Sequence, residues 1–207
     1  MFCDYKLYYN DWCVLFTCNR EQMKEKFTKV ADTPELVEDF LKNTDFLFDL
    51  DAKGDILVID DKPGEIMCKV LDTAEIIIAG GGIVFNENDE LLMIHRRGKW
   101  DMPKGKIELN EKILDGAIRE IKEETGVEIE HAEPKPITTY HTYIREGKKQ
   151  IKQSEWFVMR AKTGQTKLTA QTEEFITEAK WIKREDIKDH QFGTFRLIWD
   201  LIKGYAK

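Results

Sequence analysis

The sequence predicts an α/β domain preceded by a smaller α+β module, and three observations carry that expectation. From Glu75 onward β-prone runs recur at short intervals, first as Ile76 to Ala79, Gly82 to Phe85 and Leu91 to Ile94. A single long amphipathic segment, about Asn110 to Thr125, interrupts them, and its apolar residues Ile113, Leu114, Ala117, Ile118 and Ile121 form one helical stripe. The residues before Glu75 mix strand and helix signals on a smaller scale. The expected boundaries are 1–73 for the module and 74–207 for the main domain.

In the module, Lys6 to Thr17 alternates and is rich in Tyr, Trp, Val and Phe, so it reads as one or two short strands. Thr33-Pro34 is a helix start, with Thr as N-cap and Pro at the first helical position. Leu36, Val37, Phe40 and Leu41 follow at helical spacing. Turns at Asp51–Gly54 and Asp60–Gly64 bracket a strand, Ile56 to Ile59. Ile66 to Leu71 is expected as a further strand. In the main domain, Asn86 to Glu90 is a hairpin turn and Arg96 to Lys106 a loop leading into the helix. Gly126 ends that helix as a left-handed C-cap would. Strands are expected at Ile137 to Ile144, Ser154 to Ala161 and Glu178 to Ile182, then a last helix at about Phe195 to Lys203.

Composition excludes several classes. Of 207 residues, 42% are hydrophobic and 34% charged, which suits a folded chain rather than a disordered one. A net charge of -7 argues against general affinity for nucleic acid or an anionic membrane. A local cluster of Lys and Arg can still take a small anion. No run approaches the roughly 20 apolar residues of a membrane span. The start, Met1-Phe-Cys-Asp-Tyr-Lys6, lacks a basic segment followed by an apolar core, so no signal peptide is expected and the cytoplasm is the expected compartment. Cysteines at 3, 13, 18 and 68 lack zinc-type spacing and a nearby histidine, so reduced, mostly buried thiols are expected.

The chemistry concentrates on the long helix. Glu120 and Glu124 share a face, with Glu123 one step round. Arg119 stands four before Glu123 and can pair with it. So much carboxylate on one helix is unfavourable unless a cation neutralises it. A hard divalent metal, Mg²⁺ or Mn²⁺, takes such oxygen ligands together with phosphate and water. Gly105 leaves its carbonyl free to approach an ion, and the lysines beside it point to a phosphate-rich ligand. The plainer alternative is a solvated acidic helix face.

The span from Gly105 to Val127 resembles the Nudix box, G-x5-E-x7-R-E-U-x-E-E-x-G-U with U aliphatic. It matches at every fixed position: Gly105, Glu111, Arg119, Glu120, Ile121, Glu123, Glu124, Gly126 and Val127. The resemblance implies an α/β/α sandwich with a mixed sheet and hydrolysis of a nucleoside diphosphate linked to another moiety. It implies Glu120 and Glu124 as main metal ligands, with Glu123 and the Gly105 carbonyl assisting. It makes Arg119 a structural partner and puts Glu111 at the helix start, near the metal through water. The resemblance covers roughly Glu75 to Lys203. The module before it looks like the N-terminal segment of some bacterial Nudix proteins.

Lys99 to Lys106 is similar to the W-x-x-P-K-G-K stretch of Nudix enzymes acting on diadenosine polyphosphates and diphosphoinositol polyphosphates, with Met102 in place of the usual leucine. Lys104 and Lys106 are candidate phosphate ligands as mobile point charges. Arg96 and Arg97 are candidates for bidentate contacts. Alternation puts Tyr140 on one face with Thr138 and Thr142, where it either stacks a base or packs in a core. Lys152 resembles a phosphate-binding lysine of the diadenosine polyphosphate group. Gln171 to Trp181 looks like the family's loop and strand carrying a late glutamate, which implies a general base or further metal ligand there; Glu174 is favoured, with Glu173 and Glu178 as alternatives. Trp156, Trp181 and Trp199 are expected in the core. The expected activity is Mg²⁺-dependent cleavage of a dinucleoside polyphosphate. ADP-ribose or nucleotide-sugar hydrolysis comes second, and a nucleotide-sensing regulator with the same fold third. The expected partner is therefore a small nucleoside diphosphate derivative, not nucleic acid or membrane. The module is a candidate for homodimer contact or for covering the substrate cleft.

Overall fold

The computed structural model describes residues 4–21, 24–165 and 167–206. The chain divides into two compact units, Met1–Ile77 with Thr139–Gln153, and Ile78–Thr138 with Ser154–Lys207. The segment Thr139–Gln153 thus groups with the first unit, whereas a boundary drawn along the sequence assigns it to the second.

In the first unit, β1 (Tyr5–Tyr9) and β2 (Trp12–Thr17) form an antiparallel hairpin. Asn10 takes the tight turn at φ 49°, which Asn tolerates better than most residues. Strand β2 runs parallel to β4 (Ile56–Ile59), and β4 parallel to β3 (Lys29–Ala31). On the other side, β1 pairs in parallel with β10 (Ile137–Arg145), Leu7 opposite Tyr140. Helix α1 (Pro34–Lys42) starts as expected, the Thr33 hydroxyl accepting from the Leu36 amide. The segment expected as a further strand is instead helix α2 (Pro63–Leu71). A short apolar run cannot by itself separate strand from helix. Here Pro63 opens the first turn, and Ile66, Met67 and Val70 lie on one face toward the core. That core holds Phe16, Phe40, Leu47, Val58 and Val70, with edge-to-face contacts between Phe16 and Phe40 at 6.0 Å and Tyr9 and Phe46 at 5.8 Å. Each such ring buried stabilises by about 1.5–3 kcal/mol.

In the second unit the strand order is β12 (Ile176–Ile182), β6 (Leu91–Arg96), β5 (Glu75–Phe85), β11 (Lys148–Ala161). Two expected strands, 76–79 and 82–85, are one strand, because Gly80 to Gly82 continues the ladder. These glycines let α3 (Ile113–Thr125) lie close: a Cβ on Gly80 would meet the Ile113 carbonyl at 2.9 Å, and one on Gly82 would meet Ile121 Cδ1 at 2.6 Å. The expected loop 96–106 contains two three-residue strands, β7 (Lys99–Asp101) against β6 and β8 (Lys104–Lys106) against β5. They are too short to show alternation and are split by Pro103. Strand β9 (Ile129–Ala132), also unanticipated, pairs with β11.

Alternation sorts the core residues of this unit into two layers. Val84 and Leu92 pack with Ala117 and Ile121 of α3. Ile83, Phe85, Leu91 and Met93 pack with Ile198 and Ile202 of α4 (Arg196–Ile202). A sheet with a helix layer on each side results, an α/β/α arrangement, and strand pairing in the chain is mixed. Trp156 is buried, and Trp181 and Trp199 pack on the two cores. Cys13 is buried, but Cys18 is half-buried and Cys68 exposed on α2, so burial of the thiols holds for one of the three described. Cys3 lies outside the described residues. Among the described residues no helix is long and apolar enough to cross a membrane.

Candidate active site

The site is assembled where β8 turns into α3. Asn110, at φ 66°, breaks the chain direction, so the helix begins at Ile113 rather than at Asn110. Gly126 closes it at φ 75°, its amide donating to the Lys122 carbonyl at 2.8 Å.

Arg119 is the hub. Its Nε and Nη2 donate to Glu111 Oε1 and Oε2 at 2.8 and 2.9 Å. Its Nη1 donates to Glu120 at 2.8 Å and to Glu123 at 3.0 Å, and Nη2 also reaches the Lys106 carbonyl at 3.2 Å. The pairing with Glu123 expected from helical spacing is present. The bidentate partner is Glu111, eight residues back, which the resemblance puts at the helix start, near the metal through water. Arg119 holds the Glu111 carboxyl down to about 2, helped by the Glu108 amide. The same contacts raise the Arg119 pKa above its ordinary value. Gly116 makes room for the pair, since a Cβ there would sit 2.6 Å from Glu111 Oε2.

Glu120 lies against the backbone of β8. A Cβ on Gly105 would stand 1.9 Å from its Oε2 and would push the carboxylate aside. Burial raises the Glu120 pKa, Arg119 opposes the shift, and the charges of Glu123 and Glu174 add to it. Glu174 is therefore close enough for its charge to bear on Glu120. It sits exposed on a 3₁₀ turn, Thr172–Glu174. Glu173 and Glu178 are exposed as well.

Glu124 is 1% exposed. Burial pushes its carboxyl up to about 7, against the pull of Lys104 and Arg96. The Lys104 amide donates to it at 2.9 Å and Arg96 Nη1 stands 3.5 Å away. Two of the candidate phosphate ligands, Lys104 and Arg96, turn inward. Lys104 Nζ pairs with buried Asp101 at 2.7 Å and lies 5.9 Å from the Trp156 ring centre. Arg96 sits between Asp101 and Glu124. Lys106, by contrast, is exposed. Sequence reasoning passed over Asp101; its only signal was an acid three residues before Lys104. Tyr140 belongs to the first unit and packs against that unit's core. Lys152 is in the same unit, over the Tyr143 ring at 5.6 Å.

Among the described residues no three acidic, histidine or cysteine side chains converge at ligating distance. Arg119 and the Lys104 amide hold the carboxylates in separate bonds. The donor chemistry nevertheless suits a hard divalent cation. Every donor is oxygen, and Glu120 and Glu124 are carboxyls raised by burial beside other acids, a cost that a cation relieves.

A pocket of about 580 Å³ is lined by Arg97, Gly98, Thr172, Phe175, Ile176 and Thr177. Sequence reasoning took Arg97 only as a possible phosphate contact and gave Phe175 no role.

A family model described as NUDIX domain matches residues 77–199, more than half of the chain. Nudix hydrolase 2 of Arabidopsis thaliana is 31% identical over 119 residues, 54% of this chain and 41% of that protein. The uncharacterized Nudix hydrolase YvcI of Bacillus subtilis (strain 168) is 38% identical over 88 residues, 40% of this chain and 53% of that protein. An RNA pyrophosphohydrolase of Pelagibacter ubique (strain HTCC1062) is 29% identical over 126 residues, 53% of this chain and 77% of that protein. The chain spans about half the length of the first two relatives.

Proposed function

The chain belongs to the Nudix family, and from that premise we propose that it hydrolyses a pyrophosphate bond in a nucleoside polyphosphate with Mg²⁺ or Mn²⁺ as cofactor. The observation that carries the reading is the paired arrest of Glu120 and Glu124. One is held by Arg119 and is half-buried, and the other is held by the Lys104 amide and is buried. Such carboxylates are oriented before any ligand arrives, which is what positioning a reacting phosphate requires.

Glu120, Glu124, Glu123 and the Gly105 carbonyl are the groups that would hold the metal. A bound divalent cation supplies charge neutralisation at the phosphates and lowers the pKa of water. Glu174 takes the proton of the attacking water as the new P–O bond forms and the bridging P–O bond breaks. Arg119 fixes Glu120 and Glu123 without touching substrate. Dinucleoside polyphosphates are the favoured substrate. Lys106 and Arg97 are the outward cations that support this, while Lys104 and Arg96 act by balancing Asp101 and Glu124. ADP-ribose or a nucleotide sugar is the second reading. A cytoplasmic setting is in keeping with the thiols at Cys18 and Cys68.

The test is phosphate or nucleotide release from diadenosine polyphosphates, ADP-ribose, nucleotide sugars, nucleoside triphosphates and diphosphoinositol polyphosphates, with Mg²⁺ and with chelator. Expected is metal-dependent release that Glu124→Gln abolishes. A folded protein that binds metal yet cleaves none of these would sink the hydrolase reading and leave the nucleotide sensor.

A further inference from the structure

One pocket is walled by Phe175, to which the hydrolytic scheme gives no role, and by the outward cation Arg97. Arg97 and Phe175 both sit in the left-handed region, at φ 52° and 61°. A bulky side chain there is strained, and such strain persists where surrounding structure imposes it, often at ligand sites. The consequence is that Arg97 and Phe175 face each other, the guanidinium carbon 5.4 Å from the ring centre. Phe175 is 63% exposed and so open to a ligand.

The frame beneath is ordered. Strands β6 and β12 pair with Ile176 opposite Arg96, and the register slips between Ile176 and Glu178. Such bulges re-aim side chains beside active sites. Thr177 fills the slip, its hydroxyl 2.8 Å from His95 Nδ1 and donating to the His95 carbonyl at 3.1 Å.

One wall is a single residue from the carboxylate cluster. Arg96 reaches Glu124 at 3.5 Å, and its successor Arg97 turns outward. Phe175 turns outward opposite Arg97, on the far wall of the same pocket. A ligand whose phosphates lie at the carboxylates therefore extends its next group over Phe175. An exposed ring edged by a guanidinium suits a flat, electron-rich heterocycle by stacking and cation–π contact. Its volume is within the range of small-molecule sites.

We propose that Arg97 and Phe175 form a stacking shelf for a nucleobase of the substrate, making Phe175 a specificity-determining residue. This deepens the hydrolase reading and rests on it for the phosphate direction. Stacking tolerates any base, so the shelf selects nucleotides over base-free phosphates rather than one base over another.

The test is calorimetric or NMR titration of the full chain with AMP and with ribose 5-phosphate, in wild type, Phe175→Ala and Phe175→Trp. Expected is weaker AMP binding by about 5- to 150-fold in Phe175→Ala, the range of one base–aromatic stack. Phe175→Trp restores it, and ribose 5-phosphate binding is the same in all three. AMP affinity indifferent to residue 175, or no AMP binding at all, overturns the shelf. The readout needs no turnover. Phe175-dependent AMP binding without hydrolysis in the substrate screen would leave the shelf and remove the hydrolase, and hydrolysis with base-indifferent binding would do the reverse.

Discussion

Arg119 and Glu111 meet through two parallel hydrogen bonds, Nε to Oε1 at 2.8 Å and Nη2 to Oε2 at 2.9 Å. The pair ties the loop after β8 to the middle of α3, and Arg119 spends its remaining donors on Glu120, Glu123 and the Lys106 carbonyl. A planar fork is needed to serve so many acceptors at once. Arg119→Lys keeps the charge and loses the fork. We expect it to lower turnover by about a hundredfold, the scale of an ångström-level misplacement, with the helical circular dichroism retained. Turnover within twofold of wild type would show that the fork is dispensable.

Acid stability follows from the depressed carboxyls. Glu111 and Glu128 are both held at about 2, the first by Arg119 and the second by Lys162 and Lys122. A carboxyl whose folded pKa lies below its unfolded value stabilises fully above the unfolded value of about 4.5 and loses this as pH falls toward 2. Denaturant unfolding in chelator should therefore show stability falling from about pH 4.5 downward. Glu111→Gln should flatten that limb. Glu128 is an exposed ion pair, so its share should fade in high salt. A limb unchanged in both tests would assign acid lability to other groups.

Lys104 offers a direct choice between two roles. Its side chain is 11% exposed and its Asp101 partner 7%. Breaking a buried pair from one side costs roughly 3–5 kcal/mol. Lys104→Met should thus lower thermal stability sharply, and Asp101→Asn in the same chain should recover part of the loss. If Lys104→Met instead keeps its Tm and raises only KM, the lysine is a phosphate ligand.

Gly105→Ala should displace Glu120, because the new methyl would stand 1.9 Å from Oε2. Loss of Mn²⁺ affinity by calorimetry, with the unfolding midpoint nearly unchanged, is the expected pattern. Undiminished affinity would remove Glu120 from the ligand set.

Metal should stabilise the fold. A ligand at a hundred times its Kd adds about 2.7 kcal/mol to unfolding. We expect Mg²⁺ or Mn²⁺ to raise Tm in wild type and not in Glu120→Gln/Glu124→Gln. An equal rise in both would place the ion elsewhere.

Much of this molecule is local and was therefore readable from the chain. The spacing of Ile113, Ala117 and Ile121 marks α3, Thr33-Pro34 marks the start of α1, and Gly126 marks the helix end, because each depends on neighbours within a turn or two. The box residues Arg119, Glu120, Glu123 and Glu124 are legible for the same reason. Other features were read less well because their cause is distant. Ile66 to Leu71 is apolar enough for either period, and only the core it faces makes it a helix. The glycines of β5 read as an interruption in the sequence, yet they continue the strand and leave room for α3.

What tertiary structure decided is which partners these side chains take. Lys104 and Arg96 read as phosphate ligands, yet they turn to Asp101 and Glu124, because buried acids leave nearby cations less favourable places to go. Tyr140 packs with the first unit because β10 pairs with β1. Phe175 comes to face Arg97 because β12 pairs with β6, a contact between residues 78 positions apart. The sequence by itself determined the helix, its carboxylates and the family. Sheet register and burial, which no local pattern encodes, decided how the acids are held and what stands beside them.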